Sequence, residues 1–279
     1  MRELKLKRKR IWMRLAAAGL CALALIGMLR RFEHSQVYQP SAVLEAAPGA
    51  LGRPCEEVFI TVENGQRIHA WYFPAESNSA PVILVCHGNG GNISHRLDLY
   101  AVLLETGAGV LAFDYRGYGR SDGKPGEEGT YRDGQAAYRW LAGKGFDGSR
   151  IIGYGESLGG GVASELALRE KLGGLILQST FTSVPDIGAE VFPWLPVRWL
   201  GTIKYDTRSK LPRLRIPVLI LHSRQDELIK FHHAEENFAA ANRPKVLCEI
   251  SGGHNDALWA NRPAILRAVK EFLQTRASP

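Results

Sequence analysis

The chain reads as an α/β domain: a mostly parallel central sheet, led by an antiparallel hairpin, with helices on both faces and one short cap-like excursion. Three observations predict this. Six short apolar runs, at 82–86, 110–113, 151–154, 175–177, 218–221 and 246–250, are separated by helix-like stretches. The first five runs are apolar throughout rather than at every second residue, and the sixth is interrupted only by Glu249, which suits strands covered on both faces, as parallel strands are. Ahead of them, Asn64-Gly65 joins two β-rich stretches, 58–62 and 67–73, as a hairpin turn would.

The N-terminal segment is distinct from the body. It holds nine of the 35 basic residues and one of the 28 acids within residues 1–31, leaving 26 basic and 27 acidic residues elsewhere. The net charge of +7 therefore belongs to this tail, and a nucleic-acid-binding body is not expected. Residues 15–29 are apolar without interruption. Starting at Ile11, with Arg14 snorkelling, the segment 11–29 spans about 28 Å, enough for the hydrocarbon core. Small residues occur at Ala22-Leu23-Ala24, but mid-segment, and the C-terminal flank, Arg30-Arg31-Phe32, is a poor cleavage context, so an uncleaved anchor is expected rather than a signal peptide. The basic excess before the segment keeps the N-terminus cytoplasmic and sends the body across, into the periplasm if the source is a bacterium.

Residues 32–54 read as a linker, broken by Pro40, Pro48, Gly49, Gly52 and Pro54, and 55–279 as the folded body. Helix-like stretches follow at 93–105, 130–143, 158–171, 231–241 and 257–274. Residues 181–212 form an excursion between two strands, its first part dense in aromatics and proline: Phe181, Phe192, Trp194, Trp199. It reads equally as a small cap over an acyl pocket or as a helix packed on the sheet. Four cysteines without CxxC spacing argue against a disulfide scaffold or a cysteine zinc site, and Cys55 and Cys248 are expected to be unpaired.

The strongest chemical signal is Gly155-Glu156-Ser157-Leu158-Gly159, a G-x-S-x-G between a predicted strand and a predicted helix. Glycines permit a tight turn that lifts the serine oxygen clear of the backbone, and Leu158 offers a backbone N–H at a helix start, suited to an oxyanion. Serine needs a base, and the base an orienting acid. Four histidines follow Ser157. His222 lies in or at the end of a strand, while His232 and His233 open a helix as surface groups. His254, in the loop Ser251-Gly252-Gly253-His254-Asn255, is the candidate base. Asp226, after the strand ending near His222, leads as the acid, ahead of Glu227 and Asp206. The second oxyanion N–H is expected from Asn89 in His87-Gly88-Asn89-Gly90-Gly91-Asn92, with Gly90 as fallback and His87 bracing the loop. No phosphate-loop or dinucleotide-binding pattern accompanies these glycines.

Together these segments, with Asp114-Tyr115-Arg116-Gly117-Tyr118-Gly119 between them, resemble the α/β-hydrolase superfamily. More narrowly they resemble its membrane-anchored single-domain members, which include eukaryotic protein depalmitoylases and uncharacterised bacterial relatives. The resemblance implies a serine hydrolase acting on small acyl esters or thioesters through an acyl-enzyme, with no metal or organic cofactor, and makes the Asp114–Gly119 stretch a structural loop beside the active site. Glu156 departs from the pattern, where an arginine is often found. A peptidase of the same fold and a non-catalytic binding protein are the competing readings. The sequence carries no signal for an oligomeric state.

Overall fold

The computed structural model describes residues 2–275. Contacts divide the chain between Tyr38 and Gln39 into two units, each described by itself.

The first unit is the helix α1 (Arg2–Val37) with Tyr38. From Ile11 to Val37 it is long and apolar enough to cross a membrane. It overruns the expected boundary: residues 32–37, expected to open a linker, continue the helix. Nothing in Phe32-Glu33-His34-Ser35-Gln36-Val37 breaks it, Arg30 pairs with Glu33 one turn on at 3.3 Å, and the first proline is Pro40.

The second unit is built on eight strands: β2 (Glu56–Thr61), β3 (Arg67–Phe73), β4 (Val82–Cys86), β6 (Gly109–Phe113), β7 (Ile151–Glu156), β8 (Gly174–Gln178), β9 (Val218–Ser223) and β10 (Lys245–Ile250). Their order is β10-β9-β8-β7-β4-β6-β3-β2. The β2–β3 and β3–β6 pairings are antiparallel and the others parallel. The hairpin forms around a short turn at Glu63–Gly65, where Asn64 takes φ 60°. Two further strands, β1 (Gln39–Pro40) and β5 (Gly90–Gly91), pair in parallel. The supposed linker is therefore partly structured.

Each central strand is apolar on both sides because helices cover both. Ile83, Val85, Ile152, Tyr154 and Leu219 pack in one core with α2 (Leu97–Leu104) and α9 (Ala257–Thr275). Gly153, on the alternate face, lies against Ala163 of α4 (Leu158–Arg169) and against Leu172 just beyond that helix, which packs beside α3 (Glu127–Gly143). The excursion between β8 and β9 carries three short helices, α5 (Val184–Val191), α6 (Val197–Leu200) and α7 (Thr207–Lys210). The helix α8 (His232–Ala240) connects β9 to β10. Loops following β4, β7, β9 and β10 gather at the carboxyl edge of the sheet, where open α/β sheets carry their ligands.

Candidate active site

Between the end of β7 and the start of α4 the chain turns at one residue, Ser157, with φ 50° and ψ −115°. A non-glycine residue held there stores strain of about 1–3 kcal/mol. The flanking glycines are required by close approach. A Cβ at Gly159 would sit 1.9 Å from the Cys86 carbonyl oxygen, and one at Gly155 would sit 2.5 Å from the Gly160 Cα. The end of β8 ties the turn down: Ser157 N donates to Gln178 O at 2.9 Å, and Thr180 Oγ1 donates to Ser157 O at 2.6 Å.

The structure brings Ser157, His254 and Asp226 into one chain of contacts. His254 Nε2 is 3.2 Å from Ser157 Oγ, and His254 Nδ1 is 2.8 Å from Asp226 Oδ2. Asp226 is buried, and its other oxygen accepts from Leu228 N at 3.0 Å and Ile229 N at 2.7 Å. Burial works against its charge. The hydrogen bond from His254, that ring's charge and the Ile229 N–H outweigh it, holding the carboxyl below the usual carboxylate range. The carboxylate thus takes Nδ1–H, leaving the Nε2 lone pair toward the serine hydroxyl.

The rival acids have other tasks. Glu227 Oε2 accepts from His254 N at 3.0 Å, and Gln225, two residues earlier, accepts Gly252 N through Oε1 at 2.7 Å. These two side chains latch the histidine loop from either side of Asp226, a role sequence reasoning missed. Asp206 caps α7, accepting from Ser209 N. His222 lies buried at the end of β9, bonded to Ile229 O at 2.8 Å, and burial lowers its pKa. His233 corrects an expectation. It is not a surface group but is buried beneath the excursion, because Thr182 at the excursion's start bonds its Nδ1.

Leu158 is the first residue of α4, so its N–H has no acceptor within the helix. The loop carrying Asn89 passes beside the serine: a Cβ at Gly88 would lie 3.6 Å from Ser157 Cβ. That loop is braced from several sides. His87 Nδ1 donates to Gly88 O at 2.7 Å, and Asn89 O accepts from Tyr118 OH at 2.8 Å and Gln39 N at 3.1 Å. Tyr115 OH donates to His87 O at 2.8 Å. Burial, aided by the charge of Arg96, pulls the His87 pKa down to about 3, so the ring is neutral. Asp114 is buried and accepts Ile93 N at 2.8 Å. Glu156, the residue that departs from the expected pattern, pairs with Arg96 at 3.2 Å, and Arg96 also reaches Asn92 O at 3.4 Å. The cation of this pair comes from the residue just before α2 rather than from the turn itself.

The excursion divides its apolar residues. Phe181 and Val184 are buried, while Trp194 is 75% and Trp199 91% exposed. All four cysteines are free thiols.

The site and the sheet order define an α/β hydrolase, and comparison with known proteins agrees: the chain belongs to the α/β-hydrolase superfamily. A family model described as serine aminopeptidase, S33 matches residues 77–208. An uncharacterised protein of Mycobacterium tuberculosis is 36% identical over 277 residues, covering 98% of this chain and 99% of that one. The α/β hydrolase domain-containing protein WAV2 of Arabidopsis thaliana is 30% identical, covering 93% of both chains. The rat lysophosphatidylserine lipase ABHD12 is 32% identical over 73% of this chain, which spans 58% of its length. Among solved structures, an esterase of Pyrococcus furiosus superposes with a TM-score of 0.71 at 22% identity, covering 85% of this chain and 98% of that one. By family, the chain is an enzyme of hydrolase type.

Proposed function

We propose that the protein is a serine hydrolase that cleaves carboxylic esters or thioesters of small lipid-like or acylated substrates. The observation that carries this reading is the continuous contact from Ser157 Oγ through His254 to Asp226, at 3.2 and 2.8 Å, on a strained turn. Ser157 Oγ attacks the acyl carbon while His254 Nε2 takes its proton. The resulting oxyanion is held by the N–H groups of Leu158 and Asn89. His254 then protonates the departing alcohol or thiol, and the acyl group remains on Ser157. Water attacks the acyl-enzyme, giving its proton to His254, and the acid leaves as Ser157 regains its hydrogen. Asp226 holds the imidazole in the required tautomer throughout.

The helix α1 anchors the enzyme in this reading, with the N-terminus in the cytoplasm and the catalytic body outside it. The relative that acts on a monoacyl phospholipid, by its name, makes lysophospholipids a natural member of the substrate panel. The name of the family model is the reason to include aminoacyl anilides beside the esters. The test is labelling of the full chain with a fluorophosphonate, followed by turnover of p-nitrophenyl acyl esters, an acyl thioester, a lysophospholipid and an aminoacyl anilide. Wild type labels and hydrolyses esters or thioesters, while Ser157→Ala and His254→Ala do neither. An unlabelled wild type, or turnover confined to the anilide, overturns the proposal.

A further inference from the structure

At the first turn of α8 two imidazoles converge on one carboxylate oxygen of the excursion. His232 Nε2 is 3.0 Å and His233 Nε2 3.1 Å from Glu190 Oε1. The rings stack with centroids 4.3 Å apart and planes 30° apart, and one donor atom from each of the three residues lies within 4.8 Å of the others. His233 is only 1% exposed, yet its Nε2 makes no hydrogen bond despite the nearby carboxylate. A buried ring nitrogen without a partner is unfavourable and calls for an occupant.

The other ring nitrogen of His233 meets two atoms of Thr182. Nδ1 is 2.9 Å from Thr182 Oγ1, and that hydroxyl donates its own hydrogen to Asp186 Oδ2 at 2.9 Å. The Thr182 backbone N–H donates to the same Nδ1 at 3.2 Å, so a metal on Nε2 would require the ring proton to sit on Nδ1, where Oγ1 accepts it. Nε2 faces Glu190 Oε1 at 3.1 Å. Metal-bound histidines are commonly oriented this way, with the distal N–H held by an acceptor that is itself backed by a carboxylate.

Two imidazoles and a carboxylate are a donor set that suits zinc. Tetrahedral zinc with bonds of about 2.0–2.2 Å spaces neighbouring ligand atoms by roughly 3.3–3.5 Å. The observed 3.0 and 3.1 Å need only a small opening to admit the ion. We propose that Glu190, His232 and His233 form a zinc site with its fourth position open to water, fastening the last turn of α5 to the first turn of α8. Arg208 of α7 pairs with both Asp186 and Glu236, so three helices already meet at this joint. The ion would hold the excursion to the body, and the site stands whether or not Ser157 is the nucleophile.

The test uses the full chain in detergent, stripped with EDTA and titrated with ZnCl2, CoCl2 and MgCl2. One zinc per chain is expected, raising the unfolding temperature where magnesium does not. Cobalt should give the visible absorption of a four-coordinate nitrogen and oxygen site without a thiolate charge-transfer band. Glu190→Gln and His232→Ala, both at exposed positions, should each weaken zinc by about 100-fold or more, and Thr182→Val by about 10–100-fold. No zinc bound at micromolar concentration overturns the proposal. So does zinc bound equally by wild type and both ligand variants, binding lost only in His254→Ala, or a thiolate band.

Discussion

Replacing Asp226 by asparagine alters a single atom, and its consequence for the proposed mechanism follows from the hydrogen bonds around it. One carboxylate oxygen accepts two backbone N–H groups, from Leu228 at 3.0 Å and Ile229 at 2.7 Å, and the other faces His254 Nδ1 at 2.8 Å. The amide keeps its oxygen toward the backbone, because the reverse orientation sets donor against donor and forfeits two bonds of about 1 kcal/mol each. Its NH2 then faces Nδ1, which becomes an acceptor. The ring proton moves to Nε2 and points at Ser157, and the base has no lone pair with which to act. The expected loss is about 10⁴-fold in kcat, equivalent to about 5.4 kcal/mol on the barrier, with little change in KM. Ester hydrolysis by the purified full chain measures it, with a thermal melt to establish folding. Activity within tenfold of wild type would refute the argument. The same variant changes acid stability. The folded carboxyl titrates below its ordinary range, so its stabilising contribution is present at neutral pH and lost as pH falls through that lowered value. Wild type and Asp226→Asn should therefore converge in stability on acidification.

Glu227→Ala unlatches the histidine loop without touching the imidazole, and kcat should fall by about tenfold; a loss as deep as that of Asp226→Asn would make Glu227 the orienting acid. Gly159→Ala places a methyl group 1.9 Å from the Cys86 carbonyl oxygen, so it should destabilise the fold by about 3 kcal/mol or more, read by urea unfolding. His87 stays neutral in the folded chain until about pH 3, whereas the unfolded chain protonates it near its ordinary value of 6.5. Across that interval the unfolded state holds the extra proton, and stability falls with pH by about 1.4 kcal/mol per unit for this group. His87→Gln should flatten urea-unfolding stability between pH 6 and 4 by that slope; an unchanged slope would remove His87 from the account.

The strands were legible because continuous apolar runs are a local property, and the serine turn because its glycines adjoin it in the sequence. Asp226 and Glu227 could not be separated that way. They are neighbours with the same chemistry, and only the turn that gives Leu228 and Ile229 N–H groups to Asp226 aims one at the imidazole and the other at the backbone of residue 254. His233 was misjudged for a related reason. Whether a residue in the first turn of a helix is exposed depends on what folds over it, and here that is Thr182, 51 positions earlier. The linker was misjudged because prolines and glycines mark irregular backbone but do not reveal that Gln39–Pro40 pairs with Gly90–Gly91. Arg96 gave no signal at all, since its partner Glu156 lies 60 positions away.

That short parallel pairing bears on how the catalytic body can be handled apart from its helix. Gln39 N donates to Asn89 O, Ser41 N to Gly91 O, and Asn92 Nδ2 to the carbonyls of Ser41 and Val43. The first few residues after the apolar helix are a strut under the very loop that would meet substrate. A shortened chain prepared for solubility keeps that strut only if it begins no later than Gln39. One begun at the hairpin would retain every side chain of the serine, histidine and aspartate set and still lose the support of its neighbouring loop.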